Sequence, residues 1–285
     1  MQPSSELLLN RCNKHIPIRG VIHIGAGKCE ERFDYRELCA TKVLWIDGTP
    51  QFSISGLIAD GFVNDTIVEC YLSDTNGVGT IHHTAIDSRN DSLALPTGAQ
   101  DEVIVRDKRP VPVKRLDSLL NEFEIDVRDF NTMVVDVQGW ELKVFAGSGI
   151  IPDQMEFIVT ECWLDQKRTD LTPRYEVQPT IEQMQEFLQS CGLHKTLCAY
   201  QSPTSGKDMV ITNDTEVLPR NIAAVDILTE RGPNKYIPRV DTLPDKYREK
   251  IIEPTVSSPE FALVIPDPKP VIPDPPPTGM APIKW

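Results

Sequence analysis

The stretch "VIHIGAGKCEERFDYRELC", Val21 to Cys39, reads as a buried apolar strand that runs through a glycine turn into a helix. Open α/β sheets bind nucleotide cofactors on this arrangement. The glycine pattern is incomplete. Gly25 and Gly27 stand two apart as in G-x-G-x-x-G, but Glu30 takes the place of the third glycine, between Cys29 and Glu31. A dinucleotide enzyme uses that glycine for close helix packing and presents the helix N-terminus to a pyrophosphate. Two glutamates in the first turn suit the positive end of an empty helix dipole and repel a pyrophosphate, which disfavours NAD and FAD. A cofactor without phosphates, carrying a cationic sulfonium and an amino-acid end, is compatible with the acidic loop. S-adenosylmethionine is such a cofactor.

Working outward, strand-like runs alternate with helix-like segments through the first two hundred residues, the pattern of a parallel sheet covered on both faces. Strands are expected at Gly20 to Ile24, Val43 to Asp47, Thr66 to Leu72, Thr132 to Val137 and Phe157 to Glu161. In "PTIEQMQEFLQSCG", Ile181, Met184, Phe187, Leu188 and Cys191 recur at helical spacing and Gly192 supplies a stop, so a packing helix is expected there. "LHKTLCAY" and "KDMVITN" follow it at hairpin-like distance as candidate antiparallel strands, giving seven strands in all.

Asp47 ends the second strand about twenty residues after the glycine loop, where an acidic side chain can accept hydrogen bonds from both ribose hydroxyls; a strand ending in Asp-Gly-Thr-Pro is also an ordinary turn. In "TMVVDVQGWELKVFAGSG" four apolar residues deliver Asp136 to the carboxyl edge of the sheet, where ligands bind in such folds. Gly139 permits a tight turn into a helix near Trp140, and Glu141 then complements that helix's dipole.

The chain has 285 residues, 40% of them hydrophobic and 25% charged, enough for one full α/β domain and a smaller appendage. A formal net charge of -13 at pH 7 repels a phosphate backbone, leaving "RDKRPVPVKR", Arg106 to Arg115, as the best basic patch; it lacks interleaved aromatics, and no nucleic-acid partner is expected. Seven scattered cysteines without a C-x-x-C pair fit reduced thiols rather than disulfides or zinc. The N-terminal apolar run is three leucines, too short for a signal peptide's core, and no stretch approaches the roughly 18 apolar residues of a membrane span, so a soluble, cytoplasmic protein is expected. Fourteen of the 24 prolines lie between Glu216 and Trp285, so three parts are expected: an N-terminal segment 1–19, a domain 20–214 and a proline-rich extension 215–285. The near-repeat of VIPDP in that extension suits a polyproline-type tail or a docking segment for a protein partner with an aromatic groove.

"VIHIGAGKCEE…YRELCATKVLWIDGTP", "YLSDTNGVGTIH", "VPVKRLDSLL", "VVDVQGWELKVFAGSG" and "IVTECW" stand in the order and spacing of the FkbM-type S-adenosylmethionine-dependent methyltransferases, which the chain resembles from Gly20 to Asn213. The pairing of "VKRLDSLL" with "DVQGWEL" is the most specific element. The resemblance implies a Rossmann-like seven-stranded methyltransferase sheet, mostly parallel with an antiparallel last strand. It also implies methyl transfer to an oxygen of a sugar, glycan or other small hydroxylated metabolite. By position, Gly25, Ala26 and Gly27 would face the methionine end of the cofactor, Asp47 its ribose, and Asp136 the transferable methyl. Glu161 would line the acceptor pocket. "SRNDSLALP" matches a serine-rich segment near the cofactor, with Ser92 as its contact.

Three positions depart from the pattern of the family that the chain resembles. His23, a cofactor-wall position, replaces an acidic residue and also reads as a satisfied core histidine, while Gly27 replaces an asparagine and Cys29 a glycine. The expected general base is Asp136, with Glu161 assisting and His82 of "GTIHHTAID" as the runner-up; its neighbour His83 must face the opposite side of a strand. Asp136, Glu141 and Glu161 offer hard oxygen ligands of the kind magnesium takes, should they converge. A hydride-transfer enzyme and a non-catalytic scaffold acting through the proline-rich tail stand as the competing functional classes.

Overall fold

The computed structural model describes residues 18–38, 40–84, 90–97, 104–163, 173–201, 209–212 and 224–231. The proline-rich repeat and the first seventeen residues lie outside them, as do Ser88 and Arg89 of the serine-rich segment.

The chain runs β1 (Gly20–Ile24), α1 (Arg32–Glu37), β2 (Lys42–Asp47), α2 (Ile54–Ala59), β3 (Thr66–Glu69), β4 (Tyr71–Leu72), β5 (Gly77–Thr84), β6 (Val105–Lys114), α3 (Leu116–Glu122), β7 (Thr132–Val135), α4 (Glu141–Ala146), β8 (Phe157–Trp163), α5 (Ile181–Ser190), β9 (Leu193–Gln201), β10 (Met209–Thr212) and β11 (Ala224–Arg231). The main sheet has the order β10-β9-β11-β8-β7-β1-β2-β3, and β4, β6 and β5 make a small second sheet. From β3 to β8 the main sheet is parallel.

β1 and β7 are buried along their whole length, because a parallel strand is covered on both faces. Alternate residues therefore feed two cores. Ile22, Ile24, Met133, Val135 and Ile158 meet Leu119 of α3, Phe145 of α4 and Phe187 of α5 on one side. Val21, Trp45, Val134 and Val159 meet Tyr35 of α1 and Leu57 of α2 on the other. α5 begins with a reciprocal cap: the Thr180 side chain accepts from the Gln183 backbone N–H, and the Gln183 side chain accepts from the Thr180 N–H.

Among the described residues the main sheet has eight strands rather than the seven expected. β9 and β10 do pair antiparallel, but β11 inserts between β9 and β8, antiparallel to both. It comes from beyond residue 214, so the sheet takes in part of the stretch assigned to the extension. Ile227, Leu228 and Thr229 are all buried, and because successive side chains alternate between faces, both faces of the sheet are covered at β11. The strand expected over Thr66–Leu72 breaks at Cys70, whose N–H reaches the Asp47 carbonyl at 2.8 Å; Tyr71 and Leu72 then turn away to pair with Val113 and Lys114.

The paired motifs "VKRLDSLL" and "DVQGWELKVFAGSG" meet in the fold. Arg115 grips Asp117 through Nε at 3.0 Å and a terminal nitrogen at 2.5 Å and donates to the Asp74 carbonyl. The Asp117 N–H donates to Gly147 at the end of α4, and Lys143 of α4 reaches Asp74 at 2.7 Å. Their shared spacing thus records the docking of α3 on α4. Among the described residues no helix is long and apolar enough to cross a membrane.

Candidate active site

β1 leads to β2 on one side, while β7 pairs with its other edge, with Ile24 opposite Val135. The chain leaves β1 for β2 on one side and β7 for β8 on the other, which makes the carboxyl ends of these neighbouring strands the switch point where open α/β sheets bind ligands. The Asp136 N–H makes the last rung, to the Ile24 carbonyl at 3.0 Å. A cleft of about 500 Å³ lies here, floored by the ends of β1, β2, β7 and β8.

Five of the expected residues share one wall. His23, Gly25, Ala26, Gly27 and Asp47 all line the cleft. Gly25 and Gly27 have φ of +87° and +48°, conformations that cost glycine little. The Gly27 N–H donates to Asp47 Oδ2 at 2.8 Å, and the Thr49 N–H to Oδ1 at 2.7 Å. Asp47 is thereby fixed at the end of β2, with lone pairs remaining on both oxygens. His23 is 3% exposed and its Nδ1 lies 2.9 Å from the Tyr35 hydroxyl, with the Trp45 ring 5.2 Å away. Burial holds its pKa down at about 4, against the opposing pull of Asp136 and Asp47. It is a neutral, partnered core histidine at the cleft wall.

Asp136 and Glu161 line the floor. Asp136 has surface open to the cleft, but protein surrounds its other sides. Desolvation therefore raises its pKa, while His23, the Gln138 side chain and Arg174 act to lower it and Glu31 adds to the rise. Desolvation, and then the charge of Asp136, push Glu161 up to about 7, with Arg174 opposing. At the rim, burial lifts Glu31 to about 7.

Three expected site residues are placed elsewhere. Ser92 is 2% exposed and does not line the cleft; its hydroxyl donates to the Gln138 carbonyl at 2.7 Å, with the Val137 carbonyl at 3.2 Å, and accepts from the Ala94 N–H. Its neighbours Asn90, Asp91 and Leu93 face the cleft instead. His82 is also outside the cleft lining, because Ile81, one residue earlier on β5, points inward and strand side chains alternate. His83 is held by Asp91, Nδ1 to Oδ2 at 2.7 Å.

Glu141 is fully buried beneath the Asp136–Gly139 loop, where Oε1 accepts from the Val137 and Gly139 N–H groups at 3.2 and 3.0 Å. Burial, and then Glu161, raise its pKa to about 8. It caps the turn rather than facing a ligand. Among the described residues no three His, Cys, Asp or Glu side chains are grouped to hold a metal ion, so Asp136, Glu141 and Glu161 do not form the expected magnesium set.

The cleft also gathers residues that carry no spacing signal in the sequence: Tyr71 after the break in β3, Asp91, and Arg174. Gln138 stands inside "DVQGWEL", but its left-handed φ of +56° has no signal in the sequence.

With this geometry in place, comparison with known proteins decides the family. A family model described as the methyltransferase FkbM domain matches residues 21–194. The chain belongs to the FkbM methyltransferase family. No curated protein matches the sequence. Among solved structures, the 1,6-didemethyltoxoflavin-N1-methyltransferase of Burkholderia thailandensis, with bound 1,6-didemethyltoxoflavin and S-adenosylhomocysteine, is 9% identical. That alignment covers 81% of this chain and 77% of the other, with a TM-score of 0.42. An S-adenosylmethionine-dependent methyltransferase of Thermotoga maritima, described as a possible histamine N-methyltransferase, is also 9% identical, with 81% of this chain and 88% of the other covered and a TM-score of 0.37. In this FkbM domain the matched segment begins at β1 and closes at the start of β9, so it contains the whole floor of the cleft.

Proposed function

We propose that the protein is an S-adenosylmethionine-dependent methyltransferase that methylates a hydroxyl oxygen of a sugar or other small hydroxylated metabolite. The observation that carries the choice of donor is the charge of the cleft. Six acidic side chains line it (Glu30, Glu31, Asp47, Asp91, Asp136 and Glu161) against two cationic ones, Lys28 and Arg174; burial raises the proton affinity of Glu31, Asp136 and Glu161, and the acidic side chains still outnumber the cationic ones when those three are set aside. A pyrophosphate is repelled by that lining, and a sulfonium is attracted. The open space beside Gly27, where an added Cβ meets nothing within 4 Å, leaves room for a ligand against the loop.

When bound, S-adenosylmethionine supplies an electrophilic methyl group. The residues that would hold it are Gly25 to Gly27 along the amino-acid end and Asp47 at the ribose. The chain's own part is to align the acceptor hydroxyl and take its proton as the new O–CH₃ bond forms and the S–CH₃ bond breaks. Asp136 fits the base role because it is open to the cleft and its burial raises its affinity for a proton. Glu161, on the next strand, assists by accepting a hydrogen bond or sharing the proton. The polar lining at this end, with Asn90, Asp91, Gln138 and Arg174, suits a hydroxylated acceptor.

The test is transfer of a labelled methyl group from S-adenosylmethionine to a panel of sugars and hydroxylated metabolites. Label on oxygen is expected, with turnover reduced about 100-fold or more in Asp136→Asn while the donor still binds. Unchanged turnover in that variant removes Asp136 from the base role. A donor that binds but labels only nitrogen acceptors overturns O-methylation.

A further inference from the structure

Gln138 follows Asp136 by two residues and is neither glycine nor asparagine, yet it holds φ at +56°, a conformation that L side chains seldom adopt without support from their surroundings. The support is visible. Ser92, from the loop after β5, donates to the Gln138 carbonyl, and Glu141, from α4, accepts from the N–H groups on either side of Gln138. Both of those side chains are buried. The Gln138 amide in turn donates from Nε2 to Asp136 Oδ1 at 2.7 Å. At the other end of the amide, the Tyr175 hydroxyl, which donates to the Asn90 carbonyl at 2.9 Å, lies 3.4 Å from Gln138 Oε1 and walls that side. Tyr175 is seated over Gly139, where a Cβ would fall 2.6 Å from Tyr175 Cβ.

We infer that Gln138 is a positioning residue that fixes the rotamer of Asp136, and that Ser92 and Glu141 act through it as a buried clamp on its left-handed backbone. Resting on the methyltransferase reading, it assigns Oδ1 of Asp136 to the Gln138 amide and leaves Oδ2 as the oxygen for the acceptor proton. A functional rather than packing reason thus explains why a strained non-glycine residue stands at this position: glycine would satisfy the backbone and lose the amide.

Gln138→Gly separates the two roles. A merely structural residue replaced by glycine at this φ should leave thermal stability equal or higher and catalysis intact. The positioning role predicts equal or higher stability, donor affinity within about threefold of wild type, and kcat lowered about tenfold or more. Ser92→Ala should lower kcat in the same direction and speed amide hydrogen exchange over Asp136 to Gly139, whereas Ser92→Thr, which keeps the hydroxyl, should restore protection and much of the rate. Wild-type kcat in Gln138→Gly overturns the positioning role. Unchanged exchange in Ser92→Ala overturns the clamp, and exchange is readable whether or not the protein transfers methyl groups. Failure of the wild-type protein to bind the donor would instead refute the proposed function.

Discussion

The backbone carbonyl of Asp136 lies where a side chain on Gly25 would begin: a Cβ there would stand 1.7 Å from that oxygen. The two loops that flank the switch point are therefore in backbone contact, and the first glycine of the loop keeps the wall and the floor of the cleft together. Gly25→Ala must both part them and hold alanine at φ +87°. The expected cost is about 3 kcal/mol or more of stability, read from denaturant unfolding, together with loss of donor binding. An alanine variant as stable as wild type would mean that the loops are free to separate.

The buried acids set the pH dependence of stability. Glu141, raised to about 8, and Glu31 and Glu161, raised to about 7, bind protons in the folded state that the unfolded chain has released above its ordinary carboxylate range. Their contribution is fully present below the unfolded pKa and is lost as pH rises through the folded values. His23, held down at about 4, works the other way, adding stability as pH climbs from about 4 to its ordinary value of 6.5. Above pH 6.5 only the carboxyls remain, so the melting temperature of the ligand-free protein should fall between pH 6.5 and 8. Glu141→Gln, which keeps an oxygen for both N–H groups, should flatten that fall. A melting temperature that rises over this range would contradict the placement of these acids.

Cys29, two residues after Gly27, adopts φ +53°. The loop takes a glycine-like course there, at a cost of about 1 kcal/mol relative to glycine, and the thiol is buried with its pKa pushed up to about 12. Alkylation at pH 8 followed by peptide mapping should leave Cys29 unmodified in the native protein and modify it in denaturant. Rapid native labelling would mean that the loop opens.

What the sequence disclosed follows from which forces are local. The central parallel strands β1, β2 and β7 are apolar on both faces, and an acid at the tip of such a strand has one place to go, so Asp47 and Asp136 were legible at the cleft. β11 was not, because it lies beyond a change to proline-rich composition and only its long-range pairing with β8 and β9 defines it. Ser92 and His82 were assigned to the ligand by segment, whereas the alternation along β5 and the hydroxyl's bond to Gln138 turn them away from it. Arg174 and Tyr71 reach the cleft through tertiary packing that no spacing announces.

The central claim is that this acidic switch-point cleft takes a cationic methyl donor rather than a dinucleotide. Calorimetric titration of the wild-type protein with S-adenosylmethionine and, separately, with NAD tests it most directly. Saturable binding of S-adenosylmethionine, weakened about tenfold or more in Asp47→Ala, with no heat of binding for NAD, is the result expected; saturable binding of NAD with none for S-adenosylmethionine would contradict it.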